Sequence, residues 1–149
     1  MFTGEYILSL DGKGRISIPG AFRGVLERQA GASVVLTRDS DVWLSAYPVE
    51  EWRKLGEKVK GLVTLQPREV VHDCLRYLYS NAVECVIDGQ GRILVPPHLR
   101  EYARLTKEVA MIGFDNKFEI WDADHWRRKK EVLAQHEQGI RDALTGLGY

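Results

Sequence analysis

The sequence predicts an α+β fold made of two ββαββ halves that share one core, and three observations carry that expectation. The first is an internal repeat. With Asp11 laid on Asp88, "DGKGRISIPGAFR" (11–23) meets "DGQGRILVPPHLR" (88–100) with seven of thirteen positions identical: Asp11/Asp88, Gly12/Gly89, Gly14/Gly91, Arg15/Arg92, Ile16/Ile93, Pro19/Pro96 and Arg23/Arg100. The second is an alternation of apolar and polar residues on both sides of the first turn, over 5–10 and 15–18, the period of a half-buried strand. The third is length: in a chain of 149 residues, each half of about 45 residues has too little interior to stand alone, so the halves must complete each other.

The elements follow in order. Tyr6, Leu8 and Leu10 alternate with Glu5, Ile7 and Ser9 as a strand, with Ile7 on the wetter face. Gly12, Lys13 and Gly14 read as a three-residue hairpin loop, because glycine accepts the positive φ such loops need. The chain returns as "RISI", with Ile16 and Ile18 on one face and Arg15 and Ser17 on the other, so strand–turn–strand is the first unit. Pro19 suits a helix start; Phe22, Val25, Leu26 and Ala30 continue it at helical spacing, and Gly31 stops it. "SVVLT" and "VWLSAY", on either side of "RDSD", read as a second hairpin.

The second half repeats the order with "VECVID", the loop "GQG", "RILV", a short helix marked by Pro96 and Pro97 with Leu99, Tyr102 and Ala103 on one side, and closing strands "EVAMIGF" and "KFEIW". A three-residue difference in the connecting segment shifts the alignment, so that Leu44 meets Phe118, Tyr47 meets Trp121 and Trp52 meets Trp126. Between the halves, Val49, Trp52, Leu55, Val59 and Leu62 form one helical stripe; after Pro67, Val70, Val71, Cys74, Leu75 and Leu78 form another. A more polar helix, "HWRRKKEVLAQHEQGIRDALTGL", closes the chain with Gly139 as its weak point. The expected organisation is a first half over 5–50, a helical connector over 51–81, a second half over 82–125 and a C-terminal helix or tail over 126–149.

Composition narrows the function. Lys and Arg number 21 against 21 Asp and Glu, which gives no global pull toward nucleic acid or membrane. No segment has the apolar length to span a bilayer, and "MFTGEYILSLD" lacks the charge-then-apolar order of a signal peptide. Cys74 and Cys85 form neither a disulfide framework nor a zinc spacing, and His72, His98, His125 and His136 are scattered singly, so no metal and no cofactor is expected. In "HDC", His72 and Cys74 point in different directions on a helix while Cys74 joins an apolar stripe, which argues against a cysteine hydrolase. The glycine-rich loops match neither the dinucleotide nor the Walker pattern. These observations point to a cytoplasmic protein without catalysis.

The paired turns D-G-[KQ]-G-R are the sharpest candidate site. A purely structural reading takes Asp11 with Arg15 and Asp88 with Arg92 as exposed ion pairs that close the turns, worth ~0.2–1 kcal/mol. It leaves the matched Arg23 and Arg100 unexplained. The functional reading is recognition of phosphate or base edges: guanidinium groups bind both with two parallel hydrogen bonds, and a two-stranded ribbon enters a major groove. Local charge is slightly positive, net +2 from Asp11 to Arg28 and net +1 from Asp88 to Glu108. One protomer should therefore bind weakly, and several copies must supply affinity through avidity of ~10²–10⁴-fold. "RRKK" (127–130) reads as a solvated helix face, and Trp43, Trp52, Trp121 and Trp126 as core or interface packing. RNA binding is disfavoured, since the strands carry no aromatic stacking platform.

The segments "MFTGEY", "LDGKGRISIP", "AVECVIDGQGRILVPPHLREYA", "LTKEVAMIG" and "NKFEIWD", with the doubled D-x-x-G-R motif, resemble the MraZ family of bacterial transcriptional regulators from Met1 to about Trp126. The resemblance implies two AbrB-like (SpoVT/AbrB) swapped-hairpin β-barrel halves forming a pseudo-dimer within the chain. It also implies closed ring-like homo-oligomers and repression, without catalysis, by binding double-stranded DNA at short G-rich direct repeats upstream of a division and cell-wall gene cluster that includes the family's own gene. A nucleoid-associated location follows. The family's DNA-contacting D-x-x-x-R motif falls on Asp11 to Arg15 and on Asp88 to Arg92, with Lys13 and Gln90 at the loop tips and Arg23 and Arg100 behind them. The alternative is an AbrB-fold protein-interaction module, antitoxin-like or a ring scaffold, without operator binding.

Overall fold

The computed structural model describes residues 1–29, 31–39 and 41–149. Eight strands and six α-helices alternate along the described chain: β1 (Glu5–Ser9), β2 (Arg15–Ser17), α1 (Gly20–Arg28), β3 (Ser33–Arg38), β4 (Leu44–Pro48), α2 (Val49–Gly61), α3 (Arg68–Ser80), β5 (Val83–Val86), β6 (Arg92–Leu94), α4 (Pro97–Tyr102), β7 (Glu108–Phe114), β8 (Lys117–Asp122), α5 (Ala123–Gln135) and α6 (Glu137–Thr145). The fold is α+β with antiparallel pairing throughout the named strands. The expectations for Ala30 in the first helix and Ser40 in the "RDSD" turn lie outside the described residues.

Strand order shows how the halves meet. Six strands form one sheet in the order β1-β7-β8-β4-β3-β5, and β2 and β6 form a separate ribbon. Exchanging the halves leaves this order unchanged. Each half's opening strand crosses to the other half's hairpin: β1 pairs with β7 and β5 with β3, while β4 and β8 join at the centre. The pairs Ile16↔Ile93 and Ser45↔Glu119, each uniting a residue with its own repeat counterpart, mark the internal two-fold axis.

This pairing corrects one expectation. The sequence predicts β1 and β2 as a simple hairpin, yet they share a single bridge, Leu10↔Ile16, and then separate. The reason is burial. Ile16, Ile18, Ile93 and Val95 are all within 2% of full burial, which the strands achieve by pairing across the halves over a shared core. Val34, Leu36, Leu44, Ala46, Val109, Met111, Phe118 and Ile120 complete that core from the sheet, and Phe22, Leu26 and Leu99 from the short helices. Phe2, Phe22 and Phe118 lock together with ring centroids 5.1–5.3 Å apart.

Four helices begin directly after a proline in extended conformation: Pro19, Pro48, Pro67 and Pro96, with φ between −53° and −57°. At Pro48's counterpart the chain has Asp122, whose Oδ2 accepts the His125 N–H at 3.3 Å as a side-chain cap. α2 and α5, equivalent in the repeat, lean on the outer face of the sheet through Trp52 and Ala123. The C-terminal helix is two helices rather than one. The break falls at His136 (φ −103°, ψ 10°), while Gly139 stays helical in α6 at a cost of about 1 kcal/mol against alanine.

Candidate functional site

The β2–β6 ribbon builds the site by strand parity. Arg15 lies opposite Leu94, Ile16 opposite Ile93 and Ser17 opposite Arg92. Side chains of directly opposed residues share a face and alternate along the strand. Ile16 and Ile93, both 0% exposed, therefore take the inner face, and Arg15, Ser17, Arg92 and Leu94 take the outer one. Arg15 and Arg92 are diagonal neighbours on that face, a spacing of roughly 7–8 Å between backbones.

Each arginine is fixed by the turn before it. Asp11 accepts the Lys13 and Arg15 backbone N–H groups on Oδ1, both at 2.9 Å, and the Arg15 Nε on Oδ2 at 2.6 Å. Asp88 repeats the pattern with Gln90 N at 2.8 Å, Arg92 N at 3.0 Å and Arg92 Nε at 2.9 Å. The backbone closes both turns: Asp11 N–H donates to Arg15 O and Gly14 N–H to Asp11 O, with Asp88, Arg92 and Gly91 in the same roles. Gly14 (φ +86°) and Gly91 (φ +74°) supply the left-handed residue that lets each carboxylate fold back over its own turn.

The electrostatics match the geometry. The Arg15 N–H beside Asp11, helped by the Arg15 guanidinium and the Lys13 N–H, holds that carboxyl down at about 2. The Arg92 N–H does the same to Asp88, below the usual carboxylate range. Both acids are charged at neutral pH and bind Nε, the inner nitrogen of the guanidinium. The outer Nη1/Nη2 edge, the one that grips a phosphate or a guanine with two parallel bonds, has no protein partner at either arginine among the described residues. Lys13, Arg23 and Arg100 have no carboxylate within ion-pair distance among the described residues, which leaves the ribbon ends cationic in a chain of zero net charge.

The structure thus gathers all eight sequence candidates: Asp11, Lys13, Arg15, Asp88, Gln90 and Arg92 on one ribbon and its two flanking turns, and Arg23 of α1 and Arg100 of α4 packed against those turns. It rearranges them in one respect. Arg23 lies against Gly91 and Arg100 against Gly14, each on the turn of the opposite half. Arg23, Asp88, Gly89 and Gly91 are walls of one open cleft of about 310 Å³. Ser17 and the 53%-exposed Leu94 share the arginines' face; the alternation in "RIS" and "RIL" already carried that information.

Burial pushes the Cys85 thiol up to about 11, far from a nucleophilic thiolate. Among the described residues no group of three His, Cys, Asp or Glu side chains is placed to hold a metal ion, and no helix is long and apolar enough to cross a membrane. In "RRKK", Arg127 is paired with Asp124 and Glu108 and Lys130 with Glu5. A second open cleft of about 260 Å³ lies against α5, lined by Trp43, Trp121, His125, Arg128, Lys129 and Val132, with the two indoles stacked at 4.4 Å.

Two interlocked repeats that raise a pair of carboxylate-held arginines on one face define an internally duplicated α+β protein with one candidate binding face. Comparison with known proteins gives the class its family. The model for the family described as "MraZ protein, putative antitoxin-like" matches residues 1–69 and 78–143. Proteins called transcriptional regulator MraZ are similar over the whole chain: 43% identical in Pelotomaculum thermopropionicum (99% of this chain, 97% of that one), 40% in Pseudomonas aeruginosa strain PAO1 and 37% in Desulfitobacterium hafniense strain DCB-2 (99% of both chains in each case). The chain belongs to the MraZ family, a non-enzymatic family of transcriptional regulators.

Proposed function

We propose that this chain is a sequence-specific DNA-binding repressor whose contact surface is the outer face of the β2–β6 ribbon. The observation that carries the reading is the pair of outward guanidinium edges, Arg15 and Arg92, on one face and each preset by its own aspartate. Presetting matters because a guanidinium already held in place loses less conformational freedom when it meets a phosphate. In this reading Arg15 and Arg92 make the central phosphate or base contacts and Asp11 and Asp88 orient them. Lys13 and Gln90 meet the backbone at the two tips, and Arg23 and Arg100 add charge behind. Gln90 carries no charge, so the second tip contributes less than the first.

The regulated DNA is the set of tandem G-rich repeats before the division and cell-wall cluster, including the chain's own promoter, and the work is done in the cytoplasm on the nucleoid. We read the halves, 5–50 and 82–125, as AbrB-like swapped-hairpin barrels, 51–81 as their connector and 126–149 as an accessory helical tail. A closed ring of protomers supplies the avidity one ribbon lacks. The exposed Val132, Leu133, Ile140 and Leu144 on the C-terminal helices support contact between copies.

The test is a gel shift with the duplex upstream of the gene. Arg15→Ala with Arg92→Ala should abolish the shift while the sedimentation of the oligomer stays unchanged; full binding by this variant would remove the ribbon from the interface. If the wild type ignores that duplex and instead captures another protein through its turns, the interaction-module reading takes its place.

A further inference from the structure

We infer that each arginine-tipped turn is completed by the opposite half: Arg100 positions the turn 11–15, and Arg23 positions the turn 88–92. The inference deepens the reading of these turns as DNA-contacting tips and rests on it for its functional consequence.

The crossing follows from the antiparallel ribbon. β2 leaves its own turn at Arg15 and runs toward the other one, where the Ile18 N–H donates to the Gly91 carbonyl at 2.8 Å. Pro19 and the first turn of α1 consequently start beside the second tip. Arg23 then lays its side chain over Gly91, where a Cβ would sit 2.7 Å from Nη1 and 2.8 Å from Cδ. The other half mirrors this. The Val95 N–H donates to the Gly14 carbonyl at 2.9 Å, Pro96 starts α4, and Arg100 covers Gly14, where a Cβ would sit 2.5 Å from Cζ and Nη1 and 2.8 Å from Nε.

Three points separate this arrangement from incidental contact. Both glycines are in the left-handed conformation that shapes the turn, so the arginine covers the residue on which the turn depends. Neither arginine has an ion-pair partner among the described residues, so no carboxylate draws it there. The Arg100 Nε is buried without a hydrogen-bond partner, a cost the chain bears where packing on Gly14 compensates. Each tip is thus held from one side by its own aspartate and from the other by a guanidinium of the other half. The repeated G-R…P…R spacing is the mark of a reciprocal brace.

Amide hydrogen exchange on the full chain tests this without DNA. Arg100→Ala should speed exchange of the Gly14 and Arg15 amides by about tenfold and leave Gly91 and Arg92 within about twofold; Arg23→Ala should do the reverse. Arg100→Lys, which keeps length and charge but not the flat face, should show the same local pattern if the alanine variant folds poorly. Acceleration in the turn of the arginine's own half, or in neither turn, overturns the inference.

A second readout is affinity for the upstream duplex. Arg100→Ala should weaken binding about tenfold alone and by a clearly smaller factor, that of its own charge, in an Arg15→Ala background, whereas Arg23→Ala and Arg15→Ala should multiply. Coupling of Arg15 to Arg23 instead would contradict the cross-half assignment. The exchange pattern appearing in the variants while the wild type binds no duplex would uphold the brace and sink the DNA reading alone.

Discussion

Asp11 binds three N–H groups, and its response to acid is the most local consequence of the site. Its carboxyl is lowered from 3.8 to about 2, chiefly by the Arg15 backbone N–H. A depressed acid contributes its full stabilisation above the unfolded value, near pH 4, and loses it as the pH falls through the folded one. Following the side-chain carboxyl signals by NMR, Asp11 should titrate near 2, and Asp88 should also fall below the ordinary range, led by the Arg92 N–H. Arg15→Ala should move the Asp11 midpoint upward toward 3.8, because it removes the guanidinium bond and leaves only the backbone donors. A wild-type Asp11 titrating at the ordinary value would mean that the turn does not hold its arginine. The sequence displayed these pairs plainly, since D-x-x-x-R recurs at the same places in both repeats. It did not display which turn each of Arg23 and Arg100 touches, because that depends on pairing between residues far apart in the chain.

At the scale of elements, the three-residue strands β2 and β6 matter more than their length suggests. Each is too short to be stable in a hairpin with its own neighbour, and they persist because Ile16 and Ile93 pair at the two-fold axis with no exposure. Ile93→Ala should cost ~2–5 kcal/mol by lost burial and the cavity left behind, read as a fall in the urea midpoint with little change in slope. A loss below about 1 kcal/mol would show that the ribbon is not part of the core. Alternation marked β1 and β2, apolar runs bounded by turn residues marked the other strands, and Pro19, Pro67 and Pro96 marked three helix starts. The exchange of partners was not visible in the pattern: alternation fixes which face of a strand is buried and says nothing of which strand lies beside it. The single C-terminal helix read from the sequence divides at His136 rather than at its weak point Gly139, since glycine weakens a helix without obliging it to end.

At the scale of the whole molecule, the proposed function has a chain with 21 basic and 21 acidic residues meet a polyanion through the cations gathered on one ribbon and its turns. Apart from Asp11 and Asp88 in the turns, many of the chain's acids lie in ion pairs along the helices, such as Glu50 with Arg53 and Asp73 with Arg76. The duplicated architecture was legible because seven of thirteen positions recur between 11–23 and 88–100, whereas the residues alone read each turn as a simple hairpin and did not show the exchange of strands between halves. In this account affinity comes from phosphates met by Arg15 and Arg92 and multiplied by assembly. The most direct measurement is a salt titration of binding to the upstream duplex, comparing the wild type with Arg15→Ala alone. The wild type should show a steep negative slope of log affinity against log salt, and the variant a slope shallower by about one per engaged protomer. A flat wild-type response, or a variant with an unchanged slope, would contradict it.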